Sequence, residues 1–149
     1  MAKVAINESG VFTDYVRLDY NDLKEIGNGG TRVIAQIPAH GAVELVGVAK
    51  TVAVAGTTTL VLDVGTTLAD PDEFINALDA DAMTVPAFNT GDQFTVPIVG
   101  TTTTGYVQAA KAGNAVQDVY VKVTDAAIAS ITAGEFVIGL RIIDLAKFS

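Results

Sequence analysis

Hydrophobic residues recur at every second position in two segments near the end of this chain. Val119, Val121 and Val123 alternate with Asp118, Tyr120, Lys122 and Thr124, and Phe136, Ile138, Leu140 and Ile142 share one face further on. Successive side chains of a strand point to opposite faces, so this two-residue repeat is the mark of a half-buried β-strand. The pattern predicts two strands within Gln117 to Phe148 that sit in the middle of a sheet, with the rest of the chain supplying their neighbours. The segment between them, Thr124 to Gly134, ends in a glycine suited to a turn.

The same alternation recurs upstream. Val4 to Ile6 reads as a short edge strand, and Val16, Leu18 and Tyr20 alternate with Tyr15, Arg17 and Asp19. Gly27-Asn-Gly-Gly30 is the strongest turn signal. It lacks the spacing to a Lys-Ser/Thr pair that a phosphate loop needs, and a strand follows it rather than a helix. Arg32 to Ile37 is the next strand, stopped by Pro38-Ala-His-Gly41. Val43 to Ala55 is long, with Gly47 as a natural bulge site, and Thr58 to Val64 runs back against it as an antiparallel hairpin. Further strands are expected around Gln93 to Val96 and Tyr106 to Ala109, with Thr101 to Thr104 as an edge strand or loop. The apolar Leu145 and Phe148 of the tail suit docking on a neighbour.

One stretch reads as a helix. Asp70 is placed to cap, Pro71 fits the first helical position, Glu73 completes a capping box, and Phe74, Ile75 and Leu78 form an apolar stripe. The expected fold is therefore all-β: an antiparallel β-sandwich of jelly-roll or Greek-key type, with one short helix near residues 71-79. Short gaps between elements place residues 1-149 in a single domain, with residues 1-30 as an N-terminal arm or attachment segment.

Composition adds an expectation about assembly. Half of the 149 residues are hydrophobic and 17% are charged, and mean hydropathy is +0.41. No apolar run reaches the ~18 residues of a membrane span, so the surplus must be buried in the fold or between subunits. The net charge of -8, with Lys and Arg scattered, argues against binding nucleic acid or an anionic membrane surface. There is no Cys, which excludes disulfides and zinc-thiolate sites. The start, Met1-Ala-Lys-Val-Ala-Ile-Asn7, turns polar too soon for a signal peptide, so synthesis in a cytoplasm is expected.

Candidate chemistry is sparse. His40 is the lone histidine and lies in a turn, without a local nucleophile or orienting carboxylate. Asp63, Asp70, Asp72, Glu73, Asp79 and Asp81 form the densest acidic cluster. Asp70, Asp72, Asp79 and Asp81 are its calcium candidates, since calcium takes carboxylate and carbonyl oxygens. The other reading is helix capping with solvated acids at a helix N-terminus, and the spacing, which is not that of an EF-hand, favours it. A carboxylate pair for glycoside hydrolysis stays open, although the chain has no Trp for a sugar platform. No catalytic residue and no cofactor is expected.

The order of segments from Thr31 onward resembles a recurring type of small virion protein in tailed bacteriophages. Ile37-Pro-Ala-His-Gly41 leads into a valine-rich strand, followed by Thr59-Leu-Val-Leu-Asp-Val-Gly65 and Asp70-Pro-Asp-Glu-Phe-Ile75. Val119-Tyr-Val-Lys-Val-Thr124, Thr132-Ala-Gly134 and Arg141-Ile-Ile-Asp-Leu145 complete the order. The resemblance implies a β-sandwich capsid decoration, or cement, protein on the outer shell. It would be a homotrimer, its partner the major capsid protein, and its location the virion. A carbohydrate-binding or adhesin-like module, such as a head fibre or tail appendage, is the alternative.

Overall fold

The computed structural model describes residues 12–83, 85 and 114–144. The strands expected at Val4 to Ile6, Gln93 to Val96, Thr101 to Thr104 and Tyr106 to Ala109, the apolar tail, and the first part of the N-terminal arm lie outside the described residues.

Within them the chain runs β1 (Asp14–Asp19), α1 (Tyr20–Ile26), β2 (Gly30–Ile37), β3 (Gly41–Ala55), β4 (Val61–Gly65), β5 (Ile75–Asp79), β6 (Gln117–Thr124), a 3-10 turn (Ile128–Ser130) and β7 (Ala133–Asp144). Two antiparallel sheets pack face to face as an all-β sandwich. One has the order β1-β7-β3 and the other β2-β6-β4-β5. The two C-terminal strands are central as the alternation predicts, but each in a different sheet, and their inward residues meet across the core. Phe136, Ile138 and Leu140 of β7 and Val119, Val121 and Val123 of β6 are all fully buried. Leu18, Val46, Val48, Leu62, Val64 and Phe74 belong to the same cluster. Each such side chain contributes roughly 1.5–3 kcal/mol relative to exposure.

The helix expected near residues 71-79 is not formed. Ile75–Asp79 is a strand paired with β4, Leu62 opposite Leu78 and Val64 opposite Ile75. The register shifts between those pairs, and Ala77 takes a left-handed φ of 52°. A bulge adds one residue to a strand, so two inward side chains fall three apart instead of two. Ile75 and Leu78 thus carry the helical i, i+3 spacing while lying on one face of a sheet. Asp70 caps no helix; its carboxylate accepts from Lys122 Nζ at 3.0 Å.

The helix lies instead at Tyr20–Ile26, in a segment with the same kind of signature. The Asp19 carboxylate accepts from the backbone N–H of Asn21 and Asp22, and Asp22 accepts from the N–H of Asp19. Leu23 buries inward, and Gly27, with φ 80°, ends the helix. Arg32 of β2 pins the helix by pairing with Asp22 and Glu25, each at 2.8 Å.

β3 and β4 do not form the expected hairpin; they belong to opposite sheets. Alternation reports which face of a strand is apolar, and a strand across the core offers the same apolar face as a paired one. Nor does β3 bulge at Gly47, which stays in register with Gly139; its shifts fall between Val43 and Leu45 and between Lys50 and Ala55. The close packing at this row is carried by Phe12. A Cβ on Gly139 would stand 2.6 Å from the Phe12 ring.

Candidate functional site

The two outer faces of the sandwich differ. On the three-stranded sheet the outward residues Val137, Ala49 and Ala42 are 8%, 5% and 4% exposed, and Phe12 packs over Gly139. The four-stranded sheet presents the more open face.

Strand pairing sets the rows of that face. Thr31, Lys122 and Asp63 form one row, and Val33, Tyr120 and Gly65 the next. Val33 is 46% exposed, on edge strand β2, while Tyr120 is half-buried beside it. Gln36 and Asp118 extend the face, joined by a 2.8 Å hydrogen bond from Gln36 Nε2. A strap, residues 66–74, folds back over one side. Its backbone at Pro71 and Asp72 and the Glu73 carboxylate press on Gly65, where a Cβ would meet Glu73 Oε2 at 1.9 Å. Only glycine fits there.

Glu73 organises the strap. Its carboxylate accepts the N–H of Thr66 at 2.7 Å and the hydroxyl of Thr67. Burial by itself pushes this carboxyl up, but the Thr67 hydroxyl and the Thr66 N–H outweigh it and hold it below the usual range. Asp70 ties the strap to Lys122, and this pairing raises the lysine's pKa. Leu68, at the strap's exposed turn, is 58% exposed.

The acidic residues of the cluster are dispersed among separate tasks. Asp63 accepts the N–H of Ala77 at 2.5 Å and so fixes the bulge. Asp79 accepts from Ala82 N, and Asp72 lies 3.5 Å from Asn76 Nδ2. Asp81 accepts from Leu60 N at 2.8 Å and from the Thr57 hydroxyl at 3.0 Å. Of the calcium candidates, Asp70, Asp72, Asp79 and Asp81 therefore sit on four different sets of donors. Among the described residues no group of three or more His, Asp or Glu is arranged to hold a metal ion.

The link from β3 to β4 contains a polar network that the alternation gave no reason to expect. Lys50 is 3% exposed and points into the core end of β3, where Nζ donates to the carbonyls of Ala80 and Asp81 at 2.8 and 2.9 Å. Burial lowers its pKa, and the charges of Asp81 and Asp79 partly restore it. Asp125 is 2% exposed, and its local signal is a short polar side chain directly after a strand, able to bond the backbone two residues on. It does so with Ala127 N at 2.6 Å. This network consumes its own donors and acceptors and holds the link in place.

At the opposite pole, Thr13, Asp14, Gln36, Pro38 and Arg141 to Asp144 line an open cleft of about 610 Å³. His40 lies on the nearby turn, exposed, with a left-handed φ of 60°.

No protein-family model, curated protein or solved structure matches this chain. Among the described residues no helix is long and apolar enough to cross a membrane.

Proposed function

We propose that this chain is a structural virion protein: a decoration or cement protein on the outer surface of a tailed-phage head, binding the major capsid protein. The observation that supports this reading best is an open, partly apolar sheet face on a sandwich whose buried and half-buried carboxylates are spent on its own backbone. Asp125, Asp81, Glu73 and Asp63 each accept N–H bonds within the fold. These carboxylates serve the architecture, which suits a protein that works by contact rather than by chemistry.

Such a protein acts by mass action. It binds the closed shell and not the open one, and shifts the equilibrium toward the closed form. The low charged fraction beside a high apolar fraction also favours a homotrimer, with apolar area buried between subunits. The test is heat resistance of particles of the encoding virus, made with and without this chain. Particles that lack it should release DNA at lower temperature; equal resistance would sink the cement role.

The second reading is a carbohydrate-binding module. It is favoured by the cleft, which sets the polar side chains of Asp14 and Gln36 beside apolar Pro38 and Ile142, the mixed lining that a sugar fits. A specific hit on a glycan array would move the choice to a fibre or appendage role.

A further inference from the structure

We propose that the outer face of the four-stranded sheet docks on a protein surface carrying Arg and Lys around an apolar patch. This rests on the decoration reading above, and names the face through which the chain would bind.

The two faces of the sandwich divide the apolar residues unequally. The apolar residues at the middle of the three-stranded sheet's outer face, Val137, Ala49 and Ala42, are buried within the chain, and Val52 at its end is exposed. Among the described residues, Val33, Leu68 and Val116 are three of the five large hydrophobic residues that remain exposed, at 46%, 58% and 57%. Val33 stands on the open face beside Tyr120, Leu68 on its strap, and Val116 at the entry to β6. Apolar residues gathered on one side of a domain and rimmed by polar groups mark an interaction surface more than scattered ones do.

The rim selects the partner. Asp118, Asp70, Asp72 and Asp79 border the face, Lys122 upon it is already held by Asp70, and Arg141 lies beyond Gln36 at the cleft. A second copy of this chain would bring another net charge of -8 against the same carboxylates. Like charges across an interface are repelled, so the pairing of this face with the same face of a second copy is disfavoured. A basic partner rim is attracted instead, and carboxylates at a rim speed encounter while the apolar centre slows release.

The test uses heads of the encoding virus prepared without this chain, and three full-length variants added back. Val33→Lys places a charge at the most exposed valine of the face, on edge strand β2. Asp72→Lys reverses one rim charge, and Val52→Lys alters an exposed valine at the end of the other sheet. Melting temperature checks that each is folded; Val33→Thr replaces the lysine variant if that one melts early. Val33→Lys should weaken binding by about tenfold or more, as a charge set into an apolar contact does. Asp72→Lys should slow association at low salt, an effect that fades as salt rises. Val52→Lys should bind within about twofold of the unaltered chain, as a residue outside the contact does. If the face variants bind like the unaltered chain, or Val52→Lys loses as much as they do, the proposed face is wrong and the decoration reading stands. If the unaltered chain itself does not bind the heads, both fall.

Discussion

The Asp125 carboxylate accepts the backbone N–H of Thr58 at 2.9 Å, bridging a residue at the end of β6 to the link between β3 and β4. The same carboxylate takes the N–H of Thr59 and the Thr58 hydroxyl. Asn28 Oδ1, in the turn before β2, accepts the N–H of Asp125 itself at 3.0 Å. Three separate stretches of chain therefore converge on one buried acid. Removing it should leave several backbone N–H groups without a partner at once. Asp125→Ala is expected to cost about 2–4 kcal/mol, since each orphaned buried donor costs on the order of 1–3 and water reaches some of them. Urea unfolding would measure it, and a loss below half a kcal/mol would mean that the link holds without the acid.

The same acid predicts a pH dependence. Burial alone pushes Asp125 up, yet the N–H groups of Ala127, Thr58 and Thr59 prevail and hold it below the ordinary carboxylate value. Glu73 is lowered against the same opposition from burial, and Asp22 is lowered chiefly by Arg32. A carboxyl with a folded-state pKa below its unfolded value binds fewer protons when folded. Its contribution is fully present above the unfolded range of ~4 and is lost as pH falls through the folded pKa. Melting temperature should therefore be flat above about pH 5.5 and decline from about pH 4.5 downward. Asp125→Asn should have a shallower decline than the unaltered chain. Parallel curves would show that other groups carry the acid response.

Leu140 is fully buried opposite Val46 in the centre of the three-stranded sheet. Leu140→Ala should cost ~2–5 kcal/mol through lost burial and the cavity left behind. Val33→Ala, on the open face, should change stability by less than about 0.5 kcal/mol. Similar costs at the two sites in chemical denaturation would overturn the assignment of inner and outer faces.

Two backbone positions should respond to glycine in opposite directions. Ala77 holds a left-handed φ of 52° at the β5 bulge, so Ala77→Gly relieves strain and should be neutral or stabilising by up to about 1 kcal/mol. Gly56 has φ 85°, and a Cβ there would stand 2.3 Å from Ser130 O. Gly56→Ala should destabilise by more than about 1 kcal/mol, from backbone strain together with the clash. Thermal melts of the two variants check both signs.

What this sequence determined by itself is the identity of β1, β2, β3, β4, β6 and β7 and of the inward faces of β6 and β7, but not of β5, which reads as a helix. The alternation in Val119 to Val123 and Phe136 to Leu140 leaves no other side to bury, because a strand shifted by one residue would turn all its valines to water. Sheet membership was not legible. A strand presents the same apolar row to a core whether its neighbour in sequence lies beside it or across from it, so β3 and β4 read as a hairpin while they belong to opposite sheets. Helix placement was also a tertiary decision. Asp19 to Asp22 and Asp70 to Glu73 carry similar capping signals, and only the first forms a helix. In the second, Glu73 turns to the N–H groups at Thr66 and Thr67, Phe74 N bonds Val64 O at 2.9 Å, and pairing with β4 takes the backbone. A short helix is marginal in its own right, and the edge of a waiting sheet outcompetes it. The open face has the same origin. Val33 and Val137 are both outward valines in sequence terms. Only the packing of the finished fold buries one and leaves the other exposed.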